Sequence, residues 1–104
     1  MNKALGLIGL SARARKIVYG ADSTKEALEK GRVKLLIVSK EASEKTIKNF
    51  KFYSEKYNVP ICIYGEIEDL SKSIGKKNKA ILGILDKNLA KEIKKIIDGG
   101  EAIG

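Results

Sequence analysis

Over residues 3–14, Ala4, Leu7, Ile8 and Ser11 share one helical face with Leu5 beside it. This predicts an amphipathic helix ending in the basic stretch Arg13-Ala14-Arg15-Lys16. A short strand over 17–19 follows, and Gly20 breaks it. Asp22 and Ser23 then offer N-caps for a second helix reaching about residue 30, with Ser23 and Glu26 at capping-box spacing and Gly31 as C-cap. The unbroken apolar run Leu35-Leu36-Ile37-Val38, within 33–39, is too short for a buried helix and suits a central strand covered on both faces. Ser43 begins a third helix whose inner stripe is Ile47, Phe50, Tyr53 and Tyr57, with Lys45, Lys48, Lys51 and Lys56 mostly off that stripe.

Asn58 to Pro60 ends the third helix, and 61–64 reads as a third strand. A short helix over 66–74 turns Ile67, Leu70 and Ile74 inward and stops at Gly75. The basic turn 75–79 leads into a fourth strand over 80–85. Asp86 then caps a last helix with Leu89, Ile93, Ile96 and Ile97 on its inner side. Gly99, Gly100 and Gly104 mark a loose end. Strands and helices alternating in this way predict an α/β fold, a three-layer α/β/α sandwich with a four-stranded mixed sheet. A chain of 104 residues has room for one such domain, spanning 1–104.

Composition supports an ordered chain: 43% of residues are hydrophobic, 33% are charged, and one is proline. Charge adds a direction, since 21 Lys and Arg against 13 Asp and Glu leave +8, a field that attracts polyanions. No apolar run approaches the roughly 18 residues of a membrane span. The start Met1-Asn2-Lys3 lacks a signal peptide's apolar stretch, so the expected location is cytoplasmic, with no membrane partner. The single Cys62, within Ile61-Cys62-Ile63-Tyr64, reads as a small core residue.

The residue types that usually carry catalysis are sparse. There is no histidine, the commonest general base at neutral pH, and with one cysteine a zinc site is not expected. The glycines match neither a dinucleotide fingerprint nor a phosphate loop, and Gly75-Lys76-Lys77 follows a helix instead of opening one. A phospho-acceptor receiver needs acids at the strand ends, where Val38 runs here into Ser39 and Lys40. Glu66, Asp69 and Asp86 suit the first turns of helices. The expectation is a protein that is not an enzyme and has no cofactor or metal.

Positive charge gathers at Arg13-Ala14-Arg15-Lys16, Lys30-Gly31-Arg32 and Lys76-Lys77-Asn78-Lys79. Meeting on one face, these clusters would form a footprint for backbone phosphates; kept apart, they are solvated charge on a lysine-rich surface. The stretch Gly9-Leu10-Ser11-Ala12-Arg13-Ala14-Arg15-Lys16-Ile17-Val18-Tyr19-Gly20-Ala21-Asp22, continuing through Ala27-Leu28-Glu29-Lys30-Gly31-Arg32-Val33-Lys34-Leu35, carries a further signal. It resembles the opening half of the kink-turn-binding ribosomal-protein superfamily, in its bacterial YlxQ-like branch. The resemblance continues through Ala42-Ser43, Tyr57-Asn58-Val59-Pro60, residues 70–75 and Asp86-Lys87-Asn88-Leu89-Ala90, and spans about residues 3–97.

The resemblance implies the sandwich already inferred. It also implies RNA held by the N-terminus of the second helix, the loop before it and the loop before the fourth strand, here residues 20–26 and 75–79. A helix N-terminus presents unpaired N–H groups and a positive dipole end, and a glycine lets backbone come close. Bent RNA is read largely through shape and backbone. Asp22, Ser23 and Glu26 stand where the family commonly has Asn, Glu and Lys, and Arg15 stands where it often has glycine.

The expected function is therefore RNA binding by a ribosomal or ribosome-associated protein, on a structured RNA such as a kink turn, with ribosomal proteins as further partners. Arg13, Arg15, Lys16, Arg32, Lys76, Lys77 and Lys79 are the expected phosphate contacts, with Lys25 a further cation, and Gly20, Ala21, Asp22 and Ser23 fit the RNA backbone. Helix capping is the competing role for Asp22, Ser23 and Glu26. The alternative function is a protein-interaction module of the same fold within a ribosome-linked assembly.

Overall fold

The computed structural model describes residues 2–100, so Gly104 lies outside the described residues. The elements in chain order are α1 (Lys3–Arg13), β1 (Ile17–Tyr19), α2 (Ala21–Glu29), β2 (Leu35–Val38), α3 (Glu44–Lys56), β3 (Ile61–Ile63), α4 (Ile67–Ser73), β4 (Ile81–Ile84) and α5 (Lys87–Asp98). Side-chain caps set three of the helix starts. Asn2 Oδ1 accepts from Leu5 N–H at 2.8 Å, Ser43 Oγ from Thr46 N–H at 3.1 Å, and Asp86 Oδ1 from Leu89 N–H at 2.8 Å. α4 borrows its cap, because Glu41 Oε1 accepts from Ile67 N–H at 2.8 Å across 26 residues of chain.

The expected start of α2 is corrected. Its N-cap is Gly20, at φ 87° and ψ 157°, with no side-chain cap, so Asp22 and Ser23 lie inside the first turn. The cause is continuity with the sheet: Gly20 N–H donates to the Ile81 carbonyl at 2.9 Å, as a strand residue does, while its own carbonyl accepts from Thr24 N–H at 3.1 Å. Joining strand to helix in one residue demands a dihedral pair that only glycine adopts freely. Glu26, released from a capping box, lies 3.6 Å from Lys30 on the exposed side of the helix.

The sheet order is β1-β4-β2-β3, with β4 antiparallel to both β1 and β2, and β2 parallel to β3. Leu82 is the partner of Tyr19 on one side and Ile37 on the other. Leu35 and Ile37 of β2 pack with Leu82 and Ile84 of β4, Ile8 of α1, Leu70 of α4 and Ile93 of α5. Leu36 and Val38 face the other way and pack with Ala27 and Leu28 of α2 and Phe50 of α3. All four β2 residues are fully buried, as the apolar run predicts. The three layers are thus α1/α4/α5, the sheet, and α2/α3.

Gly83 lets α2 sit low on the sheet. A Cβ there would lie 2.9 Å from Val18 Cγ2 and 3.3 Å from both Thr24 Cγ2 and Val33 Cγ1. On the opposite face, Gly9 lets α1 come close to the C-terminal end of α4, since a Cβ there would lie 2.9 Å from the Ser73 carbonyl oxygen.

Candidate nucleic-acid interface

At one end of the sheet, the C-terminus of β1 meets the N-terminus of β4, and two basic or polar segments come together. Tyr19, the last residue of β1, is followed directly by the Gly20 turn and the first turn of α2. The N–H groups of Ala21, Asp22 and Ser23 precede the first intrahelical bond, from Thr24 to Gly20, and these three residues are exposed. Approaching from α4, residues 75–79 bring the ammoniums of Lys76 and Lys79 each to 5.4 Å from the centre of the Tyr19 ring.

Ser71 holds this loop in shape. Its Oγ accepts from Lys79 N–H at 2.7 Å and donates to the Lys79 carbonyl at 3.2 Å, and its carbonyl accepts from Lys76 N–H at 2.8 Å. Gly75 (φ 70°) and Asn78 (φ 55°) form the left-handed corners, and Lys77 extends into solvent. A groove of about 720 Å³ on the α4 side of the loop is lined by Glu41 and Glu68 as well as Lys72, Lys76 and Lys77. Those carboxylates disfavour phosphate, so the basic approach lies on the Tyr19 and Gly20 side.

The other predicted cations do not join this group. Lys25 turns toward α3, its ammonium 5.4 Å from the Tyr53 ring. Arg13 folds back along α1, with Nη1 3.5 Å from the Gly9 Cβ position and close to the C-terminus of α4. Arg15, Lys16 and Arg32 line a groove of about 370 Å³ with Gly31, Lys34 and Leu85, at the end of the sheet where β1 and β2 begin and β4 ends. Lys16 and Gly20 bracket β1, so at about 3.3 Å per residue roughly 13 Å separates the two ends. Of the two arrangements the sequence left open, the clusters do not meet on one face but divide between two surfaces, because β1 is a strand and sends its flanking residues to opposite ends of the sheet.

Cys62 is buried, and that burial, reinforced by the Asp98 carboxylate, pushes its thiol above the usual range. It stays a protonated core residue at neutral pH. Among the described residues, no three His, Cys, Asp or Glu side chains are grouped to hold a metal ion, and no helix is long and apolar enough to cross a membrane.

The family model described as the ribosomal protein L7Ae/L30e/S12e/Gadd45 family matches residues 2–94. The chain belongs to this family. Among L7Ae-family relatives, it is 36% identical over 97 residues to the RNA-binding protein YlxQ of Enterococcus faecium, covering 93% of each chain. It is 32% identical over 95 residues to the RNA-binding protein YlxQ of Bacillus subtilis, covering 88% of this chain and 92% of the other. A solved protein of unknown function from Bacillus halodurans superposes with a TM-score of 0.91 at 31% identity, over 94% of this chain and 99% of that one. A 15.5 kD RNA binding protein of Giardia lamblia shares the fold, with a TM-score of 0.75 at 20% identity over 96% of this chain and 86% of that one.

Within this L7Ae-family chain, sequence reasoning missed Tyr19 and Ser71. Tyr19 was legible only as a strand residue, although its place directly before Gly20 puts it beside whatever the turn contacts. Ser71 lies within a predicted helix, and no local pattern signals that it holds a loop eight residues on.

Proposed function

We propose that this chain binds structured RNA, holding it between the 20–23 turn and the 75–79 loop, and acts by binding alone. The observation that carries the reading is a convergence at one end of the sheet. There a helix N-terminus on a left-handed glycine meets two lysine ammoniums gathered on one tyrosine ring. The exposed N–H groups of Ala21, Asp22 and Ser23 suit a phosphate or a base edge, and Lys76, Lys77 and Lys79 supply the charge that phosphates need. Two relatives covering most of the chain are named RNA-binding proteins, which supports the same choice of ligand.

The finer reading is a sharply bent RNA of the kink-turn kind, with ribosomal RNA in the cytoplasm as its first source. Glu26 is drawn toward Lys30 and Lys25 toward Tyr53, so α2 brings no cation to the turn. Asp22 accepts hydrogen bonds and cannot donate them, which favours a guanine's N–H edge over a carbonyl acceptor.

The test is a fluorescence titration, across salt concentrations, of a kink-turn hairpin and of the same hairpin lacking its sheared G·A pairs. The expected result is tighter binding to the kink turn, with a slope of log K against log salt that falls by about 2 in Lys76→Glu/Lys79→Glu. Equal affinity for both hairpins removes the kink-turn part. Failure to bind any ribosomal RNA fragment overturns the whole reading.

A further inference from the structure

We propose that the opposite end of the sheet, with the adjoining face of α5, is a second phosphate-backbone surface, so that the protein joins two separate RNA segments. The choice of RNA as polyanion rests on the reading above; the surface itself rests on independent geometry. Lys34 belongs to two depressions at once. One is the groove of Arg15, Lys16 and Arg32, and the other, of about 470 Å³, is lined by Lys34, Pro60, Lys87, Ala90, Lys91 and Lys94. The two therefore form one continuous basic track. Along α5, Lys87, Lys91 and Lys94 recur at i, i+4 and i+7, which places them on one helical face over about 10 Å.

Of the cations lining this track, only Lys94 forms an ion pair among the described residues. Asp86, at the junction, is engaged in capping α5 through Leu89 N–H at 2.8 Å. Asp98 pairs with Lys94 at the far end, a bond that holds the Lys94 amine above its usual range. Lys34 Nζ rests 3.4 Å from the Gly31 carbonyl and has no carboxylate partner among the described residues.

Arg15 adds a second kind of observation. At φ 59° it occupies a left-handed position, and among the described residues it is the only one that is neither Gly nor Asn to do so. That conformation is strained for a residue with a Cβ, a cost that glycine avoids. A guanidinium is thus held at the groove where local backbone geometry favours no side chain, as strained positions at working surfaces are. The lining favours nucleic acid over protein, since long flexible cations surround only Pro60, Leu85 and Ala90. No aromatic anchor of the kind that dominates protein interfaces is present.

The experiment uses the full chain and two probes, a kink-turn hairpin fixed to a surface and a labelled 20-base-pair RNA duplex without bulges. Wild-type protein on the hairpin is expected to capture the duplex. Arg32→Glu/Lys34→Glu/Lys91→Glu, all at exposed positions, is expected to keep the hairpin and capture at least about tenfold less duplex. Its slope of log K against log salt for the duplex should fall by about 2 to 3. Unchanged duplex affinity and slope overturn the proposal, including the case in which the track takes an acidic protein instead.

Should wild type fail to bind the hairpin, the earlier reading fails alone, and direct duplex titration still decides this one. Loss with the groove variant and retention with Lys76→Glu/Lys79→Glu uphold the second surface; the reverse pattern overturns it.

Discussion

Arg15 shows how a backbone angle and a side-chain charge can pull one residue in different directions. Its left-handed φ of 59° follows the end of α1, where the chain turns sharply into β1. Replacing it with glycine removes a conformational strain of about 1 to 2 kcal/mol and adds back roughly 0.4 to 1 kcal/mol of chain entropy in the unfolded state. Arg15→Gly is therefore expected to leave the unfolding midpoint unchanged or slightly raised in a denaturant titration. If the groove takes RNA, the same variant lowers the salt slope for duplex by about 1. A clear loss of stability would mean that the Arg15 side chain also packs. The presence of a cation at position 15 was legible in the sequence, but its strain was not, because φ depends on how α1 and β1 are held by their neighbours.

At the scale of elements, α2 carries the proposed RNA contact but takes its position from Gly83, on a strand buried beneath it. Val18, Thr24 and Val33 crowd the space a Cβ would need, and the β-branched Val18, 2.9 Å away, cannot swing aside. Gly83→Ala is expected to destabilise the protein by about 1 to 3 kcal/mol and to lift α2 from the sheet. The readouts are chemical denaturation and a weakened hairpin affinity, although residue 83 is itself buried. Gly6→Ala is the control, since nothing lies within 4 Å of its Cβ position and a helical alanine there gains about 0.5 to 1 kcal/mol. Ser43 and Asp86 were legible as helix starts because an N-cap is a local event, completed within three residues. The start of α2 was not, because the sheet bond from Gly20 to Ile81 overrides the capping that Asp22 and Ser23 offer.

For the whole molecule, with principal extents of 33 × 27 × 25 Å, the decisive property is how charge is divided between the two ends of the sheet. Residues in the two basic surfaces are more than about 10 Å apart along the strands and share no partner, the condition under which mutational effects add. Combining Lys76→Glu/Lys79→Glu with Arg32→Glu/Lys34→Glu/Lys91→Glu is therefore expected to lower affinity for a long kink-turn RNA by the sum of the separate free-energy losses. Isothermal titration of the four proteins checks this, and a combined loss well below the sum would place all five residues on one surface. The net charge of +8 could be counted from composition, yet it says nothing of this division.

What the sequence determined by itself is whatever depends on neighbours in the chain. The helical and strand spacings, the buried run of β2, the caps at Ser43 and Asp86, and the family membership all follow from residues within a few positions or from their order. What only the tertiary structure decided is whatever depends on distant segments meeting. Strand order, the settling of α2 on Gly83, the gathering of Lys76 and Lys79 on Tyr19, and the pairing of Arg15 with Arg32 and Lys34 away from Gly20 belong here. The physical reason is that β1, three residues long, is extended. Residues close in sequence are carried to opposite ends of the sheet, and residues nearly twenty apart are brought to the same one.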